Sequence, residues 1–174
     1  MQIIYSFNLS MDDYIKNIYF LDFPEFNSCP ICNDQVNLIK NGFYHRNVID
    51  KDNLVYCLAI RRFVCPHCGK TVSLLPDFLM PYFQSSVLRI TTLVSQFLTD
   101  KIESYIPLTY FYKFRFTKNL NGIISFFRFN GVLTPIANNI DENLLFFINE
   151  IKAFSAPLFS KSYFLKFNTC FLSK

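Results

Sequence analysis

Four cysteines fall in two matched pairs, Cys29-Pro30-Ile31-Cys32 and Cys65-Pro66-His67-Cys68-Gly69-Lys70, with 32 residues between them. No other feature limits the possible folds as much. The residues in between contain two strand-like runs, 37–49 and 54–64, joined by the polar turn Asp50-Lys51-Asp52-Asn53. An antiparallel hairpin returns the chain to its starting end, so it brings the two pairs together. In each pair the proline helps set a tight turn in which both sulfurs can face one ion. Four thiolates at zinc–sulfur distances of about 2.3 Å make a closed shell with no open position, which predicts one structural Zn2+ held by Cys29, Cys32, Cys65 and Cys68. The alternative, redox use of a Cys-x-x-Cys pair, lacks a thioredoxin-like βαβ context.

The other candidate ligands have plainer readings. His67 lies between two ligands and is expected to point outward. His45 and Cys57 fall on the strands as packed or surface residues, and Cys170 has no partner in sequence, which reads as a lone buried cysteine.

The chain has 174 residues, enough for a small metal module and a helical unit with its own core, and hydrophobic residues make up 51% of it, which argues against disorder. The 22 Phe and 10 Tyr read equally well as AT-rich coding bias and as functional surface. No run of about eighteen uninterrupted apolar residues exists, and the first residues lack a basic segment and soon meet Asp12-Asp13. The expectation is a cytoplasmic protein with no membrane partner, a setting in which paired cysteines favour zinc over disulfides.

The net charge of +4 is unevenly spread. Residues 1–28 set Lys16 against Asp12, Asp13, Asp22 and Glu25, a balance of −3. Residues 84–131 set Arg89, Lys101, Lys113, Arg115, Lys118 and Arg128 against Asp100 and Glu103, and no acid occurs from Ser104 to Gly131. Such a segment suits phosphate contacts; a solvated helix face is the plain alternative.

Four segments follow from the pattern. Residues 1–28 read as a strand (3–7) and a helix opened by Ser10 with Asp13 three residues on, both docking on the metal module. Residues 29–83 form a four-cysteine zinc ribbon, a hairpin plus a short third strand at 71–75. Residues 84–131 read as three short helices, the first starting near Ser85 or Ser86 and the others at about 108–116 and 120–129, separated by Thr117-Lys118-Asn119; these are the parts of a helix-turn-helix unit. A turn and helix start is read at 104–109. Within this unit Phe111 and Phe114 are expected to face the core, and Tyr112, Lys113 and Arg115 to face solvent. Residues 132–174 read as a helix at 140–154 capped by Asn139, then an aromatic tail at 163–172 that would serve as a partner or dimerisation surface if exposed. The fold class is α+β.

The runs Cys29-Pro30-x-Cys32, Leu38-Ile39-Lys40-Asn41-Gly42-Phe43-Tyr44-His45-Arg46, and Ile60-Arg61-Arg62-Phe63-Val64-Cys65-x-x-Cys68-Gly69-Lys70 through Ser73-Leu74-Leu75-Pro76 resemble the zinc ribbon that opens many bacterial insertion-sequence transposases. They are similar also to small transposase-like zinc-binding proteins without a nuclease domain. The resemblance covers about residues 29–81 and only generally the helices beyond. It implies binding of duplex DNA at an element's ends, with Lys40, Arg46, Arg61 and Arg62 as contributors to a DNA face. Adjacent strand residues point to opposite sides, so at most one of Arg61 and Arg62 joins that face. The acids after the ribbon do not form the carboxylate set of a strand-transfer core, and there is no phosphate-binding glycine loop, so the chain reads as non-catalytic. The nucleic-acid-binding set expected from charge and resemblance is Lys40, Arg46, Arg62, Lys113, Arg115, Lys118 and Arg128. The rival reading is an interaction module whose aromatic tail docks a second copy or a transposase.

Overall fold

The computed structural model describes residues 1–100, 107–133 and 137–173. Its architecture is α+β: a four-stranded mixed sheet followed by a helical unit.

Strands β2 (Ile39–Ile49), β3 (Val55–Val64) and β4 (Thr71–Pro76) form the antiparallel meander expected from the cysteine spacing. The β2–β3 turn closes through Asp50 N–H to Leu54 O and Asn53 N–H to Asp50 O, both 3.0 Å, with Asn53 at φ 62°. An irregularity between Lys40 and Phe43 shifts the register, and Gly42 at φ 65° supplies the left-handed residue it needs.

The first strand, β1 (Gln2–Tyr5), adds to β4 in parallel and gives the order β1-β4-β3-β2. It covers a β4 edge that the ribbon alone would leave open for pairing with another chain. Helix α1 (Met11–Asn17) begins as its sequence predicts, with the Ser10 hydroxyl accepting from Asp13 N–H at 3.1 Å. It buries Tyr14, whose hydroxyl donates to Ala59 O at 3.0 Å and pins the N-terminal segment to β3.

Helix α2 (Val87–Asp100) starts at Ser86, whose hydroxyl accepts from Arg89 N–H at 3.0 Å. After it come α3 (Pro107–Phe129), α4 (Ile140–Ala153) and α5 (Ala156–Phe167). The two short helices expected at 108–116 and 120–129 are one continuous helix of 23 residues. Thr117 and Asn119 do not break it: each bonds back to the carbonyl four residues earlier, Lys113 and Arg115, and the flanking Phe116, Leu120 and Ile123 are buried along one face. The helix-turn-helix reading at this point is therefore corrected. Residues 104–106 of the turn and helix start expected at 104–109 lie outside the described residues, and α3 begins at Pro107, a first helical position that proline fits.

Two apolar clusters result. One fills the sheet with Tyr14, Leu58, Ile60, Phe63, Val72, Leu74 and Leu75. The other is built by all four later helices and the C-terminal residues, with Ile90, Phe116, Phe127, Phe147, Phe159 and Phe171 at its centre. Phe127 and Phe159 stack with ring centroids 5.4 Å apart. A polar seam joins the clusters: Arg46 donates to Met80 O at 2.8 Å and to Phe83 O, Ser86 Oγ to Asp50 Oδ1 at 2.6 Å, and Tyr112 Oη to Ser85 Oγ at 3.0 Å. No described helix is long and apolar enough to cross a membrane.

Candidate metal centre and the basic side chains

The two cysteine turns are built alike, to a degree the prolines alone do not indicate. In each, the first cysteine N–H bonds to the carbonyl five residues on (Cys29 to Asp34, 2.9 Å; Cys65 to Lys70, 3.0 Å). The residue after the second cysteine donates back to the first cysteine's carbonyl (Asn33 to Cys29, 2.8 Å; Gly69 to Cys65, 2.9 Å). That residue is left-handed in both turns, Asn33 at φ 62° and Gly69 at φ 68°. Asparagine and glycine are the residues that tolerate this conformation best, which explains the otherwise unrelated Asn33 and Gly69 at matching positions.

The hairpin sets these turns face to face. The four sulfurs lie within 4.8 Å of one another, with Cys29 Sγ to Cys68 Sγ at 3.9 Å and Cys32 Sγ to Cys65 Sγ at 3.8 Å. These separations are far beyond an S–S bond of about 2.05 Å. A tetrahedron with metal–sulfur bonds of about 2.3 Å has edges of about 3.8 Å, close to these two separations, so the cluster could hold one ion. Cys29 and Cys65 are buried, Cys32 and Cys68 half-buried. The amides of the turns face the sulfurs: Cys68 N–H points at Cys65 Sγ, 3.4 Å away, and the Cys32 and Ile31 amides draw the Cys29 thiol down to about 6. For Cys32 the Asp34 amide acts in the same sense, but burial and the neighbouring thiols outweigh it and push the group up to about 12. A divalent cation placed among the sulfurs would stabilise all four as thiolates together.

His67 is exposed and pairs with Asp34, which ties one turn to the other, and the ligand atoms of both lie within 4.8 Å of Cys32 Sγ. This link was not read from the sequence, where Asp34 carries no signal beyond lying two residues past Cys32. His45 and Cys57 are exposed on the strands, and Cys170 is buried.

The seven basic side chains expected to meet nucleic acid have diverse surroundings. Lys40, Lys118 and Arg128 are exposed. Arg46 is committed to the carbonyls of Met80 and Phe83. Lys113 donates to Asp141 Oδ2 at 2.8 Å. The Arg62 guanidinium lies 6.0 Å from the Tyr44 ring centroid, and that of Arg115 lies 5.0 Å from Phe111. Arg61 sits among Phe43, Phe23 and Phe63 at 4.8, 5.3 and 5.9 Å, on the face opposite Arg62, so the two do point apart.

Two orientations are corrected. Tyr112 is 2% exposed and faces the core, whereas Phe111 and Phe114 are 41% and 64% exposed. The buried stripe of α3 runs Thr109, Tyr112, Phe116, Leu120, Ile123, Phe126 and Phe127. A three-residue spacing between two phenylalanines is compatible with either face, and the longer period of the whole helix decides. The aromatic tail is divided: Tyr163, Phe171 and Leu172 are buried, Phe164 and Phe167 are half-buried, and Leu165 is exposed.

Residues 29–107 match a family model described as a domain of unknown function, DUF6431. The match starts at the first cysteine of the cluster and runs through the ribbon and α2 to the first residue of α3, less than half of the chain. No curated protein and no solved structure matches.

Proposed function

We propose that the chain is a zinc-stabilised, non-catalytic DNA-binding protein, akin to the part of a transposase that holds DNA ends. Zinc at Cys29, Cys32, Cys65 and Cys68 fixes the sheet, and the sheet carries the helical unit through the Arg46, Asp50 and Ser85 seam. The observation that carries the DNA reading is α3: 23 residues without a single acid, with Lys118 and Arg128 exposed on it. A helix whose charged side chains are all positive presents a positive potential to its surroundings, and that potential favours a polyanion. Lys40 adds a third exposed cation on β2.

Exposure narrows the expected set to these three. Arg46 holds two carbonyls, Lys113 holds Asp141, and Arg62 and Arg115 are half-buried against Tyr44 and Phe111. Three phosphate contacts imply that log K for duplex DNA falls with log salt at a slope of about −2.7, from about 0.9 per contact. The test is a salt titration on random duplex DNA with wild type and a Lys40→Gln, Lys118→Gln, Arg128→Gln triple variant. The expected result is that slope for wild type and loss of measurable binding for the variant. A wild-type slope near zero sinks the reading.

A further inference from the structure

A cleft of about 890 Å³ runs between the sheet and the helical unit. Gln2 of β1, Phe83 of the connecting loop, Phe111, Tyr112 and Arg115 of α3, and Leu172 of the C-terminal tail all line it. Its size is in the range of small-molecule sites. Among the described residues the lining contains no carboxylate, and Arg115 is the one charged side chain there. The other positive group, the Met1 amine, is held by Thr71 O at 3.0 Å. Arg115 is half-buried, with its guanidinium over the Phe111 ring at 5.0 Å and no ion-pair partner among the described residues. A guanidinium set into an aromatic wall, with no carboxylate facing it among the described residues, is arranged to receive a negative charge joined to an apolar body.

We propose that this cleft binds a small organic anion with a flat apolar body. The ring system lies against Phe83 and Phe111, and its carboxylate or phosphate is gripped by Arg115. This site is separate from the DNA reading, which rests on Lys40, Lys118 and Arg128, and either can stand without the other.

Three fluorescent probes of one shape test it in the full-length protein: 1-naphthoate, 1-naphthyl phosphate and the neutral 1-naphthalenemethanol. One of the anions should bind saturably, one per chain, at least tenfold more tightly than the neutral probe, and which anion it is assigns the headgroup. Arg115→Gln should erase that tenfold preference while Arg115→Lys, which keeps the charge, retains part of it; near-UV circular dichroism checks that both variants are folded. Absence of saturable binding by both anions to wild type overturns the proposal, and so does a charge preference that survives in folded Arg115→Gln. Should Arg115→Gln fail to fold, Phe111→Ala replaces it: Phe111 is 41% exposed, and its loss should weaken the bound anion at least fivefold. Unchanged affinity in Phe111→Ala would equally reject the site.

Discussion

Six cysteines share one chain but occupy three environments, and their reactivity should separate accordingly. Cys57 is exposed on β3. Cys29, Cys32, Cys65 and Cys68 are gathered around the candidate metal position, where a bound cation would occupy the sulfur lone pairs. Cys170 is buried against the helical core, and burial pushes its thiol up, which lowers the thiolate fraction that alkylating reagents need. Intact-mass measurement after a brief iodoacetamide pulse is therefore expected to show one adduct on metal-loaded protein and none on Cys57→Ser. Chelation should add four more together, and denaturant the sixth. Loss of protection at a single cluster cysteine while the other three stay protected would contradict a shared ion.

At the scale of elements, α3 and α5 are set by one contact between small and large side chains. A β-carbon placed on Gly122 would lie 2.3 Å from Tyr163 Oη but 3.5 Å from Cζ, an ordinary contact. The Tyr163 ring cannot swing away freely, since Phe167, Phe159 and Phe126 surround it with centroids 4.6, 5.6 and 6.0 Å distant. Gly122→Ala should cost about 1–3 kcal/mol from overpacking, more than the roughly 1 kcal/mol that alanine gains over glycine inside a helix. In a Tyr163→Phe background the clashing atom is gone, and the same substitution should become neutral or stabilising. Urea unfolding of the four proteins reads the change of sign; equal effects in both backgrounds would refute it. Elements also show where sequence reading succeeds and where it stops. The hairpin, β4, α1 with its Ser10 cap, and the Asn139-capped α4 were all legible because each is fixed by local chemistry: turn residues, caps and the need to join two cysteine pairs. The parallel pairing of β1 with β4, the unbroken α3 and the burial of Tyr112 and Phe171 were not. Those depend on which surface a distant segment covers, and a polar triplet such as Thr117-Lys118-Asn119 looks like a break until its side chains are seen to bond back along the helix. The four-cysteine cluster was legible to the residue, while the Asn33 and Gly69 correspondence became meaningful only with their backbone angles.

Over the whole molecule the two apolar clusters have unequal means of support. The helical cluster closes through packed aromatic rings on four helices, with Phe116, Phe127, Phe147, Phe159 and Phe171 fully buried. Each such ring contributes on the order of 2–3 kcal/mol of burial. In the sheet, β2 is an edge strand whose start at Ile39–Gly42 is exposed, and the hairpin ends are held at the cysteine turns. A metal there supplies folding free energy directly, on the order of 10 kcal/mol for small zinc modules, because its ligand set exists only in the folded chain. Removing it should release the sheet first. The helical unit should persist, since Arg46, Ser86 and Tyr112 join it to the sheet by polar contacts at a seam and not by a shared apolar core. Chelation followed by circular dichroism and amide hydrogen exchange is expected to show lost protection across β2, β3 and β4 with most of the helical signal kept, and one equivalent of zinc should restore the protection. Cys29→Ser or Cys68→Ser should resemble the chelated state without added chelator. If chelation melts α2 to α5 in the same step as the strands, the seam transmits more cooperativity than polar contacts can account for, and the molecule folds as one unit around its metal.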